Sequence, residues 1–143
     1  MTSTTDEGRA TSRRLLLIPV GKENYGLSME HVIEVVPKPQ VTRLPSTTSG
    51  LRGVFNARGQ IIPLFDSAAL LGGEPASDME YVVVIDTVRG HAALTTTGVP
   101  EAISPPNPVN ENESADQKGM YVLDDGRIVT ELNIDALLES MSR

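Results

Sequence analysis

The stretch GVFNARGQIIPLFD, residues 53–66, reads as two strands joined by a tight turn and followed by the start of a helix. Val54, Phe55, Ile61, Ile62, Leu64 and Phe65 supply the apolar content of the strands, and Ala57–Arg58–Gly59 is the turn. Asp66 precedes DSAALLGG, where an aspartate can accept from the first free helical amides and Gly72 or Gly73 can take the left-handed position that ends the helix. One charge stands out. Arg58 occupies the turn between apolar strands and next to a glycine. It is either a solvated turn charge or an anchor for another molecule, since arginine combines a stem that packs with a fork that pairs.

Working outward, the same pattern recurs. GMYVLDDGRIVTELNIDALL, from Gly119, resembles GVFNARGQIIPLFDSAALL, from Gly53. With one inserted residue, Ile61 matches Ile128, Asp66 matches Asn133, and Leu70–Leu71 match Leu137–Leu138, an offset of 67 residues. Upstream, LLLIPV (15–20) matches YVVVID (81–86), and VIEVV (32–36) matches VPEAI (99–103). Each copy therefore predicts three strands, a hairpin and a short helix. A unit this small buries too little apolar surface to be secure alone. Two of them sharing an aliphatic core, with a groove where they meet, is the expected architecture. The turn of the second copy is the acidic Asp124–Asp125–Gly126, so Arg58 is expected to set the first copy apart.

Composition narrows the function. The chain has 143 residues, 39% hydrophobic, with two Phe, three Tyr and no Trp, so the core must be built from Val, Ile, Leu and Ala. The absence of cysteine removes disulfides, thiolate chemistry and cysteine-ligated metals. The net charge of −7 and the scattered basic residues, only Arg13–Arg14 being adjacent, argue against nucleic acid, which needs a basic patch. The apolar runs LLLI and YVVVI are far below the ~20 residues of a membrane span. The polar start MTSTTDEGRATSRR has no apolar core like that of a signal peptide, so a cytoplasmic protein without membrane insertion is expected. Residues 1–13 read as a disordered tail, and 104–117 (SPPNPVNENESADQ) as a loop or lid.

No catalytic set emerges. His31 and His91 stand far apart with no acid at ligand spacing, and both read as strand or surface residues. No nucleophile elbow, phosphate loop or dinucleotide fingerprint is present. Asp66 is most simply a cap, and Asp86 the end of a strand. An enzyme, a metal centre and a bound cofactor are not expected.

The segment YGLSMEHVIEVVPKPQVTRLPSTTSGLRGVFNARGQIIPLFD resembles the CheW-like domain of bacterial chemotaxis adaptors. The resemblance rests on Tyr25–Gly26–Leu27, on Val32–Ile33–Glu34–Val35, on Leu44–Pro45 and on Leu51 through Asp66, and it extends over about residues 15–140. It implies an all-β fold with short helices, as two packed five-stranded SH3-like barrels. Residues 14–143 would be one domain of two subdomains, about 15–75 and 79–140. It also implies a non-catalytic scaffold, associated with receptor arrays in the cytoplasm. Such a scaffold couples the signalling tip of a methyl-accepting chemoreceptor to the regulatory domain of a CheA-type histidine kinase. By motif, the receptor contacts would be Val32, Glu34, Gly53, Asn56 and Arg58. Each has a plainer reading: Val32 as core, Gly53 and Gly59 as turn or close-packing positions, and Asn56 as a turn-stabilising side chain. The alternative is a module that binds only a kinase or response component in a pilus or other non-flagellar system. Ala93, Thr97 and Pro100 depart from the family pattern, Thr97 standing where an acid is common.

Overall fold

The structure is a computed structural model that describes residues 14–45, 50–74, 78–105 and 117–141. Two five-stranded sheets form it. In chain order the elements begin with β1 (Leu15–Val20), β2 (Glu23–Ser28), a 3-10 turn (Met29–His31), β3 (Val32–Pro37), β4 (Leu51–Ala57), β5 (Gln60–Phe65) and α1 (Ser67–Leu70). They continue with β6 (Tyr81–Thr87), β7 (Gly90–Thr96), β8 (Glu101–Ile103), β9 (Gln117–Val122), β10 (Ile128–Leu132) and α2 (Ile134–Met141). The tail 1–13 and most of the 104–117 segment lie outside the described residues. The VTRL segment, 41–44, contributes a single bridge, Thr42 to Val54, in place of a strand.

The first sheet runs β8-β1-β2-β10-β9 and the second β3-β6-β7-β5-β4. Strands one and two of each copy thus join strands three, four and five of the other. The duplication is real, but the copies exchange strands. The expected division into 15–75 and 79–140 does not coincide with the sheets, because the seams are made by cross-copy pairs. β3 pairs antiparallel with β6, as β8 does with β1. β5 runs parallel to β7, as β10 does to β2. The helices that follow β5 and β10 keep equivalent caps: Asp66 Oδ1 accepts from the Ala69 amide at 3.1 Å, and Asn133 Oδ1 from the Ala136 amide at 3.3 Å. Asn133→Ala removes one such cap and is expected to cost about 1 kcal/mol, read as a lowered urea midpoint at unchanged slope.

β1, β6 and β7 are buried on both faces along most of their length, whereas β3 alternates. Leu16, Ile18, Val20 and Leu27 of the first sheet meet Val83, Ile85, Ala92 and Leu94 of the second, with Ile134 and Leu137 of α2 closing the layer. A separate cluster covers the other face of the second sheet: Phe55, Ile62, Leu64, Val82, Val84 and Ala93, with Met79 packed on them. Each fully buried aliphatic side chain contributes about 1.5–3 kcal/mol, so aliphatics alone suffice for a core without tryptophan.

Thr97, just beyond β7, joins the two sheets. Its amide donates to the Pro19 carbonyl at 2.9 Å. Its hydroxyl accepts from the Gly21 amide at 3.0 Å and donates to the Pro19 carbonyl at 3.3 Å. A hydroxyl both donates and accepts, which an ionised carboxylate cannot do.

Candidate functional site

The β4–β5 hairpin is built by its turn. Ala57 faces Gln60, leaving Arg58–Gly59 as a two-residue loop. Both residues have positive φ, 55° and 85°, the pattern that matches the twist of paired strands. Asn56 Oδ1 accepts the Gly59 amide at 2.9 Å and holds the turn, so the plainer reading of Asn56 accounts for it. Arg58 is the exceptional member: it is the one non-glycine residue with positive φ among the described residues. Asparagine or glycine would suit that conformation better. An arginine held there costs backbone strain and calls for a compensating use.

Arg58 Nη2 lies 3.2 Å from Glu34 Oε1 on β3. The Arg58 side chain is 85% exposed and that of Glu34 24%. Such a pair contributes at most about 1 kcal/mol. The second copy holds the same clamp. Glu101, at the position equivalent to Glu34, takes Arg127 in a fork of 3.0 and 3.3 Å. Arg127 Nε also donates to Asp125 Oδ2 at 2.8 Å. Hydrogen bonding to Glu101, then Asp125, pushes the Arg127 guanidinium above its ordinary range. The Arg127 amide, followed by its side chain, holds the Asp125 carboxyl below the usual range. The expectation that Arg58 sets the first copy apart by charge is therefore corrected. At the 67-residue offset the second arginine stands at the position of Gln60, two residues beyond that of Arg58, which hid the equivalence. What differs is saturation. Arg127 is engaged on three sides by carboxylates and turn, whereas Arg58 makes one bond and leaves most of its fork to solvent.

The other candidate residues are placed as follows. A register shift between Val32 and Glu34 puts Val32 opposite Ile85 and Glu34 opposite Val84. Ile85 belongs to the inter-sheet layer and Val84 to the cluster on the other face, so Val32 and Glu34 point to opposite faces. Val32 packs half-buried against the inter-sheet core. Gly53 is buried where Thr42 crosses β4, and a Cβ there would lie 2.2 Å from the Thr42 carbonyl oxygen. Glu34, Asn56 and Arg58 thus gather at the hairpin tip, while Gly53 and Val32 occupy packing positions away from it.

A groove of about 500 Å³ opens between the second sheet and α2. Leu51, Pro63 and Phe65 of the β4–β5 hairpin, the β6–β7 hairpin from Thr87 to Ala92, and Ala136 and Leu138 of α2 line it. Its wall is preformed: the Val88 amide donates to Asp135 Oδ1 at 3.0 Å, tying the hairpin tip to the helix. None of the five candidate residues lines the groove. A row on the outer face of β5 links the two places. Ile61, Pro63 and Phe65 alternate along that strand, and Ile61, opposite Asn56, is 61% exposed. The row starts beside the Arg58 turn and ends inside the groove.

Sequence reasoning missed three features here. His91 does have partners: Gln60 Oε1 at 3.0 Å from Nδ1, and Asp86 Oδ1 at 3.8 Å from Nε2. Antiparallel pairing of β6 with β7, which sets Asp86 opposite His91, brings them together. The Glu101–Arg127 clamp was signalled by the match of VIEVV to VPEAI. The third is Glu131, fully buried and accepting from the Tyr121 hydroxyl at 3.0 Å. The 67-residue offset aligns Glu131 with Leu64, which marks it as a polar residue in a core position. Among the described residues no group of three or more His, Cys, Asp or Glu could hold a metal, and no helix is long and apolar enough to cross a membrane.

Comparison with known proteins bears on the family and the fold. The family model described as the CheW-like domain matches residues 14–142. The chemotaxis protein CheW of Klebsiella aerogenes is 30% identical over 99 residues, 68% of this chain and 60% of that protein. The chemotaxis protein CheW of Thermotoga maritima is 24% identical over 140 residues, 90% of this chain and 89% of the relative. The match to the Klebsiella protein covers less than two thirds of its length, whereas the Thermotoga protein is matched nearly throughout. The crystal structure of the scaffolding protein TtCheW from Thermoanaerobacter tengcongensis superposes with a TM-score of 0.75 at 26% identity, covering 90% of this chain and 93% of that one. The family model spans nearly the whole chain, and the scaffold's structure superposes over nine tenths of it: this chain belongs to the CheW-like domain family.

Proposed function

We propose that residues 14–143 act as one non-catalytic adaptor domain in the cytoplasm. It couples the signalling tip of a methyl-accepting chemoreceptor to the regulatory domain of a CheA-type histidine kinase. The observation that carries this reading is Arg58: strained backbone, an exposed guanidinium and one bond where its counterpart is saturated. A receptor tip is helical, and an amphipathic helix lays its apolar face in a groove of this kind. The row from Ile61 to Phe65 and the groove beyond supply the apolar surface, and Arg58, steadied by Glu34, supplies orientation at one end.

The test is binding of a purified receptor signalling tip to Arg58→Glu and Arg58→Asn. Both are expected to weaken binding at least about tenfold, the loss of one well-placed charged contact. Asparagine suits the left-handed turn, so that variant should melt no lower than the parent. Unchanged affinity in both variants removes Arg58 from the interface. A parallel pull-down with the kinase regulatory domain alone discriminates the alternative, a module that binds only a kinase or response component. That module would retain the kinase domain and ignore the receptor tip.

A further inference from the structure

Resting on the reading of the groove as a helix dock, we infer that the groove holds a slot for one aromatic side chain of the docked helix, kept open by Ala92, and that this helix carries a basic residue one turn from the ring. The two copies of the repeat supply the template. Ala92 lies opposite Ile85, on the face of the second sheet that lines the groove. In the first sheet Tyr25 lies opposite Ile18, on the same inter-sheet core. On its other side Tyr25 is paired with Thr130 of β10. Ala92 there has Pro63 of β5, one step back from the Leu64–Ala93 pair. Tyr25 with Ala92, Ile18 with Ile85 and Thr130 with Pro63 all fall at the 67-residue offset of the repeat.

At this position the copies differ by one ring. The first fills it with the phenol of Tyr25, packed half-buried on the core, and burial followed by the Glu23 charge pushes that phenol above its ordinary range. The second has only a methyl group, with the groove over it. Phe65, where the other copy has Leu132, does not close the gap, since it is itself part of the lining. In a chain with two Phe, three Tyr and no Trp, a ring in one copy and a hollow in the other mark a place that takes its ring from outside. An aromatic side chain buries enough area to anchor an interface, and Phe65 offers it a surface to stack on. Charge selects its neighbour. Asp135 and Glu139, four residues apart on α2, place two carboxylates on one wall, against Arg89 as the one cation among the lining residues. That balance favours a lysine or arginine on the helix.

The experiment measures, by fluorescence anisotropy, the binding of three synthetic amphipathic helices with the same leucine stripe to the full chain. The first has phenylalanine at the anchor and lysine one turn away, the second has alanine for that phenylalanine, and the third has glutamate for that lysine. The parent is expected to bind the first at least about tenfold tighter than the second and about threefold tighter than the third. Ala92→Tyr supplies the ring internally, as the first copy does, and is expected to lose the preference for phenylalanine. Equal binding of the phenylalanine and alanine helices to the parent overturns the slot, whatever Ala92→Tyr does. A preference that persists in folded Ala92→Tyr removes Ala92 from it, and equal binding of the lysine and glutamate helices removes the basic residue. Leu138→Asp keeps failure of the dock apart: if it binds the helices as tightly as the parent, or if none of them binds the parent, the groove itself is not the dock and the slot falls with it.

Discussion

Gly53→Ala is expected to lower the stability of the domain by about 3 kcal/mol or more, roughly 10 °C in melting temperature. Two causes add. The glycine φ of +151° lies where side chains are strained, and the new Cβ would sit 2.2 Å from the Thr42 carbonyl oxygen. The oxygen cannot retreat cheaply. Thr42 and Val54 exchange both backbone hydrogen bonds, at 2.8 and 2.9 Å, so movement of one segment breaks the pairing of the other. The control is Gly59→Ala. Its φ is +85°, but nothing lies within 4 Å of the added methyl, so only the conformational cost of about 1 kcal/mol applies. Thermal melts of the two variants check the contrast. A Gly53→Ala protein as stable as Gly59→Ala would mean that the crossing of Thr42 over β4 is not formed as described. The same result bears on function: a loss of partner binding in Gly53→Ala would then follow from unfolding, and Gly53 would act by letting the hairpin pack.

Tyr121→Phe is expected to cost about 1–3 kcal/mol, because a fully buried carboxyl group loses its hydroxyl donor. Adding Glu131→Leu should recover a large part of that loss. The first copy already shows the outcome: Phe55 and Leu64, paired through Ile62 and Gly53 in the same register, fill the equivalent space with apolar side chains. Replacing a buried polar pair by shape-matched apolar groups is often neutral or stabilising, whereas breaking it from one side is not. Chemical denaturation of the single and double variants measures the coupling. A double variant less stable than Tyr121→Phe alone would show that Glu131 serves further bonds the protein needs more than this one.

Much of this architecture was legible from period and spacing. The hairpin turning at Arg58–Gly59, the cap at Asp66, the left-handed Gly72 and the turn at DDG are local events, decided by a few neighbouring residues, and each is found as expected. The duplication was legible because equivalent packing positions demand equivalent residue types 67 apart. The candidate site was less so. Arg58 with Glu34 is an ion pair across 24 residues, and the bulge beside Ile33 that turns Val32 away from Glu34 has no signature in the string VIEVV. His91 looked solitary because its partners, Gln60 and Asp86, become neighbours only through strand pairing.

Local chain chemistry thus settled the strands, turns, caps and the twofold repeat of this protein, along with an aliphatic core free of thiols. Which copy lends strands to which sheet was settled only in three dimensions. Because β3 and β8 present nearly the same pattern, either could in principle close either sheet, and no count of apolar residues chooses between them. The choice falls to the packing of the assembled layers, where the parallel seams, the Thr97 weld and the inter-sheet core form together. The groove exists as a consequence of that choice.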